Sequence, residues 1–390
     1  MDYFYGVDIG KFAHHAVCVD ETGSQLESRP LANTQPDIDD LVGRVSEAGG
    51  SVIVDQPKGG AALLIQACWD KGIPVGYLHG FAMARARGFY EGESKTDPKD
   101  AFVLADIARS HPSRIVWIQP LPEERAKLEV LVGYDEDMRA DVNRQSNRLR
   151  ALLSGYWPQL ERAIGDRLAT RPVLDLLDRY PNPEALRRLG KGRVTRFLSQ
   201  RRMRKPDVFA EAILSAIHSQ HTVVAGSRSA GRVVSELATE IGRLLSRRKE
   251  LEGEIEECFL AQPEAEILTS LPGVGVRLGA RILVEVGDIS QFASPSKLAS
   301  YAGLGPAPWQ SGTVNTAYPS RRGNHRLKNA LFLSAFASLR HPPSRTYYDR
   351  KRKEGKQHHD ALLCLARRRV DVLHAMLTRG QSYYWEQQAA

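Results

Sequence analysis

Between Phe4 and His79 the chain changes its hydrophobic period in a fixed order, and that order restricts the possible folds more than any other feature. FYGVDIG and HHAVCVD each read as a strand, rich in apolar and β-branched residues and separated by only a few positions. SQLESRPL reads as a third strand, set off by the turn-forming run Asp20-Glu21-Thr22-Gly23. Residues 36–48 then follow helical spacing, and SVIVDQ is a short buried strand. GGAALLIQACWDKG is an apolar helix ending at Gly72, and IPVGYLH is a fifth strand. A plain doubly wound sheet places a helix after its first strand, because parallel neighbours need a long crossover. Here only turn residues join the first three strands. A meander of three strands followed by helix, strand, helix, strand is the order of a ribonuclease-H-like α/β fold.

The rest of the chain is helical in texture. Residues 97–110 form a helix with Pro98 well placed in its first turn. From about 121 to 165, and again from about 228 to 262, an apolar stripe at helical spacing runs through charged sequence with little Pro or Gly. Two such stretches suit an antiparallel coiled coil, within the chain or with a second copy. Between them lies a compact helical region with a basic run, Arg201-Arg202-Met203-Arg204-Lys205. From residue 266 the pattern is a helix, a Pro-Gly-Val-Gly hairpin, a second helix, a Gly/Pro-rich loop (GLGPAPWQSG) and basic helices. At 390 residues, two or three domains are expected. The expectation is an α/β plus all-α chain: a ribonuclease-H-like acidic domain over 1–120, a helical coiled-coil linker region over 121–262, and a mostly helical domain with a helix-hairpin-helix-like segment over 263–390.

Charge divides along the same lines. Residues 1–110 carry 10 Lys/Arg against 16 Asp/Glu, whereas residues 321–380 carry 15 against 4. An acidic head and a basic tail suit a site that gathers cations and a surface that gathers phosphates. Cys18, Cys68, Cys258 and Cys364 are far apart, without zinc-ligand spacing, and read as free thiols of a reducing compartment. His358-His359-Asp360 reads as a solvated basic face rather than a metal site, since adjacent helical residues diverge by about 100°. No stretch approaches the ~20 apolar residues of a membrane span, and the first residues lack a signal-peptide pattern. The expected location is the cytosol of a bacterium or archaeon.

Three sets of residues can carry chemistry. Asp8 ends the first strand, Asp55 the fourth, and Asp97 and Asp100 open a helix. The first and fourth strands are neighbours in a ribonuclease-H-like sheet, and a later helix brings further carboxylates to the same edge. Carboxylates gathered in this way suit a pair of Mg²⁺ ions, about 3.5–4 Å apart, that activate an attacking oxygen and stabilise a leaving one. Taken singly, Asp97 also suits a helix N-cap with Asp100 completing a capping box, Asp8 a turn and Asp55 a strand end. Gly273 and Gly275 of the hairpin, flanked by Arg277 and Arg281, can present backbone N–H groups to a phosphate, or simply join two helices tightly. Ser311 lies before Gly312, with Arg321, Arg322, His325, Arg326 and Lys328 close behind. A serine attacks a phosphodiester when its proton is removed and cations stabilise the phosphorane. Ser320 is an equal candidate on chemistry alone.

Several ordered motifs give the chain a resemblance nearly end to end. At the front these are YGVDIGK, VIVDQPKGGAALL and GESKTDPKDAFVLADIAR. At the back they are LTSLPGVGVRLGARILVEVGD, LASYAGLGPAPWQSG, SRRGNHRLKNALFLSAFASL and YYDRKRKEGKQHHDALLCLARRR. In these the chain resembles the "IS one-ten" family of insertion-sequence transposases, the DEDD/serine recombinases. The resemblance implies a resolvase-like domain whose acidic tetrad maps onto Asp8, Asp55, Asp97 and Asp100 and holds Mg²⁺ or Mn²⁺. It implies a coiled-coil linker and a C-terminal transposase domain whose nucleophile, by position in the loop motif, is Ser311. The family acronym has Glu in second place; Asp55 stands there in this chain, one methylene shorter. The resemblance also implies a noncoding guide RNA that pairs with donor and target DNA, leaving the protein to hold backbones. A homo-oligomer, dimer or tetramer, is expected to assemble on them. The alternative is a metal-dependent junction nuclease that uses water and forms no covalent intermediate.

Overall fold

The computed structural model describes residues 2–90, 96–311, 314–319 and 322–384, and only the backbone of Phe81 and of residues 306–311 and 314–319. Two compact units divide the chain, residues 1–122 and 123–390.

The first unit is built on a six-stranded mixed sheet. Strands β1 (Phe4–Asp8), β2 (Ala13–Val19) and β3 (Gln25–Ala32) form an antiparallel meander. Helix α1 (Gln35–Ala48) leads to β4 (Ser51–Val54), which pairs parallel to β1. Helix α2 (Ala62–Asp70) leads to β5 (Val75–Tyr77), parallel to β4. Helices α3 (Gly80–Ala86) and α4 (Asp97–Ser110) precede β6 (Val116–Ile118), which closes the order β3-β2-β1-β4-β5-β6 by pairing antiparallel to β5. The sequence pattern did not reveal α3 or β6; β6 has only three residues, too few to display an alternation. Strand alternation decides the layers. Val52 and Val54 face α1 and α2, packing with Ile38, Leu41, Val45 and Leu64. Ile53 faces the other way, onto Leu104, Val103 and Met83 of α3 and α4.

Gly6 fixes how closely α4 lies on β1. A Cβ there would sit 1.9 Å from the Ala101 carbonyl oxygen and 2.6 Å from the Ala105 nitrogen, so only hydrogen fits between strand and helix. Gly6→Ala must therefore push α4 off the sheet. We expect a loss on the order of 3 kcal/mol, read by urea denaturation, because the obstruction is backbone that no rotamer can relieve.

Among its described residues, the second unit is helical except for one ribbon. Two 34-residue helices, α5 (Glu123–Tyr156) and, after α6 (Pro158–Ile164), α7 (Arg171–Arg179), α8 (Pro183–Gln200) and α9 (Pro206–Ser219), α10 (Ser227–Leu260), pack along each other. They run antiparallel. Leu128 and Val132 of α5 share a core with Leu251, Ile255 and Phe259 of α10, whereas Leu149 and Leu153 share one with Ala230 and Val234. The first helix stops at Tyr156, short of the expected 165, because Pro158 cannot continue it. At one end of the pair, α6 to α9 enclose the Leu149 core. At the other end the Leu128 core continues into α11 (Ala265–Ser270), α12 (Val276–Val286), α13 (Pro295–Tyr301), α14 (His325–Ala337), α15 (Pro342–Lys353) and α16 (His358–Arg379). Between α13 and α14, β7 (Pro306–Ser311) and β8 (Val314–Pro319) form an antiparallel ribbon. The Gly/Pro-rich stretch expected as a loop thus contributes a strand of this ribbon, in which Trp309, Val314, Thr316 and Tyr318 are strand formers. All four cysteines are free thiols. Among the described residues, no helix is long and apolar enough to cross a membrane.

Candidate active site

Parallel pairing places the first two acids side by side. Val7 lies opposite Val54 in the β1–β4 register. Asp8 and Asp55, the next residue on each strand, therefore leave the sheet together at its C-terminal edge, both half-buried. Helix α4 adds Asp100, only 1% exposed, and the exposed Asp97 in its first turn. Thr96 is the N-cap residue of α4 and makes no side-chain capping bond, so Asp97 is not the cap that its place before Pro98 allowed. Asp8 senses all three other carboxylates. Burial first, then Asp55, Asp100 and Asp97, push its carboxyl up from 3.8 to about 6, against the opposing pull of Arg87. Burial and Asp100 also push Asp55 up, although the Ile9 N–H donates to its Oδ1 at 3.2 Å and favours the charged form.

Arg87, which no sequence pattern singled out, completes the group. Its Nε and Nη2 both donate to the Asp100 carboxylate, a forked arrangement that matches a guanidinium to a carboxylate. Among the described residues, no three His, Cys, Asp or Glu side chains converge tightly enough to hold a metal ion. Carboxylates without a cation repel one another, and here a guanidinium pairs with one of them. The donor set still fits a hard divalent cation. It offers carboxylate oxygens only, and two of the acids are held in a state that a positive charge would relieve.

In the second unit, two glycines fasten the ribbon to α14. Gly303 (φ +65°) and Gly323 (φ +105°) cross so closely that a Cβ on Gly303 would lie 2.2 Å from the Arg322 carbonyl oxygen, and one on Gly323 2.6 Å from the Gly303 nitrogen. Asn324 caps α14 by accepting from the Leu327 N–H at 2.9 Å, and its amide donates to Glu285 at 2.7 Å and to the Tyr301 hydroxyl at 3.0 Å. Pro306 pairs with Pro319 at the base of the ribbon, and Ser311 with Val314 at its tip. The Ser311 side chain, Ser320 and Arg321 lie outside the described residues. Arg322, His325 and Arg326 are exposed and Lys328 is half-buried, with Arg326 3.9 Å from Glu285.

The hairpin glycines divide in role. Gly273 (φ +83°) packs on the end of α14, where a Cβ would lie 2.6 Å from the Ser334 oxygen. Gly275 caps α12 with open space beside it. Arg277 reaches Asp135 at 3.2 Å, and Arg281 is buried against Glu136. These arginines, expected to face phosphate, meet instead the adjacent acids of α5. Arg281→Ala strips a buried partner from Glu136. We expect about 3–5 kcal/mol of lost stability in urea denaturation. A purely phosphate-facing Arg281 would lose nucleic-acid affinity and keep its stability.

His358 bonds the Tyr348 hydroxyl at 2.7 Å, and the His359 ring lies 5.0 Å from that of Phe332, so two members of the expected solvated face have aromatic neighbours.

Two family models match the chain. A DEDD transposase model of the IS110 type covers residues 5–158, and a model for the transposase IS116/IS110/IS902 family covers residues 265–349. The 43.6 kDa protein of insertion element IS110 from Streptomyces coelicolor is 42% identical over 384 residues, spanning 97% of this chain and 95% of the relative. The chain belongs to the IS110 family of insertion-sequence transposases. The 42 kDa protein of insertion element IS900 from Mycobacterium paratuberculosis is 40% identical over 390 residues, 97% of this chain and 96% of the relative. A pilin gene-inverting protein of Moraxella bovis is 30% identical over 123 residues, 30% of this chain and 38% of that protein.

In this IS110-family chain, the first matched segment contains all four acids, and the second contains the PGVG turn, Ser311 and the basic residues 321–328. The family processes DNA, and its DEDD character suggests a divalent metal ion. Arg87, Glu285, Asn324 and the crossing of Gly303 with Gly323 are additions from the structure. Gly-Leu-Gly and Arg-Gly-Asn offered a weak signal for Asn324 and the glycine crossing, since paired glycines often mark close backbone approach; nothing marked Arg87 or Glu285.

Proposed function

We propose that this chain is the recombinase that cuts and rejoins DNA for its insertion element, with a ribonuclease-H-like first unit bearing the acidic site and Ser311 as nucleophile. The raised carboxyl of Asp8 carries the proposal. Residues 8, 55, 97 and 100 come from three separate elements, and gathering like charges costs stability, a cost that a bound cation relieves and a purely structural role does not explain. The strand order and the register of Asp8 beside Asp55 support the ribonuclease-H-like reading.

Asp8, Asp55, Asp97 and Asp100 would hold Mg²⁺ or Mn²⁺. When bound, the cation supplies Lewis-acid polarisation of the scissile phosphate and charge stabilisation of the oxygens around it. The chain's own groups do the rest. Ser311 Oγ gives up its proton to solvent and bonds to phosphorus while the bond from phosphorus to the deoxyribose 3′ oxygen breaks, and that oxygen takes up a proton. The resulting phosphoserine keeps one phosphoester for the one lost, so a 3′-hydroxyl from another strand reverses the step and joins new partners. Arg322, His325, Arg326 and Lys328 hold neighbouring phosphates. Carboxylates of one protomer meet the serine of another in a dimer or tetramer. A noncoding RNA of the element chooses donor and target by pairing, in keeping with a basic surface that reads backbone rather than bases.

Capture of a protein–DNA adduct on a denaturing gel tests this, using a duplex that carries the element end and the RNA that copurifies with the protein. The wild-type chain should form the adduct with Mg²⁺. Cutting without any adduct would replace this reading with a water-using nuclease.

A further inference from the structure

Among the described residues of the first unit, six large hydrophobic side chains are exposed, and they are not equivalent. Leu26, Leu63, Trp117 and Leu121 are 40–55% exposed, whereas Phe12 and Phe89 are 78% and 86% exposed. Withholding a phenylalanine from a core forgoes a favourable burial, so such exposure at two positions invites a reason. Each follows part of the acidic group closely along the chain. Phe12 follows Asp8 by four residues in the β1–β2 turn, where its carbonyl accepts from Asn33 at 3.1 Å. Phe89 closes the short helical turn Arg87–Phe89, whose Arg87 grips Asp100 and acts electrostatically on Asp8. The two rings therefore stand on two different loops, one following the strand that carries Asp8 and one carrying the arginine that holds Asp100. A cation accompanies Phe12, whose ring centre lies 4.9 Å from the Lys11 ammonium, and the exposed Arg85 precedes Phe89 by four residues in the chain.

From this we infer that Phe12 and Phe89 are stacking platforms for nucleobases of the DNA strand whose phosphate enters the acidic site, and that the strand is bound with those bases unstacked from their neighbours. This rests on the DNA-cutting reading above. An aromatic face beside a lysine or arginine suits a nucleobase with its phosphate attached, whereas an apolar protein partner would gain nothing from the cations. Stacking on both sides of the scissile bond would hold the phosphate in place without reading sequence, and it would favour a strand already opened.

The test uses the full chain and a 20-nucleotide oligo(dT), with matched abasic and oligo(U) strands. Phe12→Ala and Phe89→Ala should each weaken oligo(dT) binding by roughly five- to a hundredfold and leave the abasic strand unaffected. Phe12→Trp and Phe89→Trp should retain affinity. Near-ultraviolet cross-linking with 5-bromouracil in the strand should map to the peptides containing residues 12 and 89. Asp8→Asn should keep both behaviours, so a loss of cutting alone speaks to the acids and not to the platforms. Unchanged affinity in both alanine variants overturns the inference, as do cross-links that map only elsewhere. A preference for oligo(U) that depends on these rings would assign them to RNA and overturn the DNA assignment. Protection of Phe12 and Phe89 from hydroxyl radicals in the nucleic-acid-free protein would make them a contact between copies, and overturns it too.

Discussion

Ser311→Ala is expected to abolish the covalent protein–DNA adduct and to lower strand joining by on the order of 10³-fold or more, while nucleic-acid binding stays within about twofold. The substitution removes the one atom that forms the bond to phosphorus. Every positive charge that stabilises the phosphorane remains, as does the β7–β8 ribbon, whose pairing is made by backbone. Water is the only replacement nucleophile, and its product cannot be rejoined, because hydrolysis discards the phosphoester energy. Residual activity should therefore be cutting and not joining. Ser320→Ala is the matched control and should keep the adduct. The reverse pattern, an adduct with Ser311→Ala and none with Ser320→Ala, would move the nucleophile nine residues along the chain. Cutting and joining that both survive in the double variant would remove serine from the chemistry.

How far the sequence reveals this molecule depends on whether a feature is local. The three-strand meander was legible because tight turns and period-two alternation act over a few residues, and β1, β2 and β3 lie within one or two positions of their expected limits. Asp8 and Asp55 could be paired in advance because strand order implies register. The α5–α10 pair was legible as two long stripes. What could not be read were contacts between distant segments that leave no period behind. Arg87 stands in an ordinary Ala-Arg-Ala-Arg-Gly run, and only the folded chain reveals that it holds Asp100. Arg277 and Arg281 read as phosphate ligands, and a sequence shows charge without its partner; the fold also pairs them with Asp135 and Glu136, more than 140 residues earlier. The ribbon carrying Ser311 was hidden by its own glycines and prolines. Pro306 and Pro308 lie within β7, yet in a linear reading they suggest a loop.

Asp8→Asn should eliminate recombination and at the same time stabilise the first unit at neutral pH. Its carboxyl is raised in the folded chain to about 6 from an ordinary 3.8. Below pH 4 the group is protonated in both folded and unfolded states and costs nothing. Between pH 4 and 6 the folded chain retains a proton that the unfolded chain has lost, so stability declines as pH rises through that window. At pH 7 the penalty is complete. Asparagine keeps the shape and never ionises, so it removes the penalty. Because Asp8 is only half-buried, solvent screening reduces the expected gain to about 1–2 kcal/mol. That corresponds to roughly 3–8 °C in the thermal midpoint of a unit this size. The gain should be present at pH 7 and absent at pH 4. Mg²⁺ should raise the midpoint of the wild-type chain and raise that of Asp8→Asn much less, since a cation stabilises whichever state holds it. Scanning fluorimetry at the two pH values, with and without MgCl₂, separates the cases without measuring catalysis. An equal gain at pH 4 would make the effect one of packing rather than charge, and an equal Mg²⁺ response in both proteins would place the cation away from Asp8.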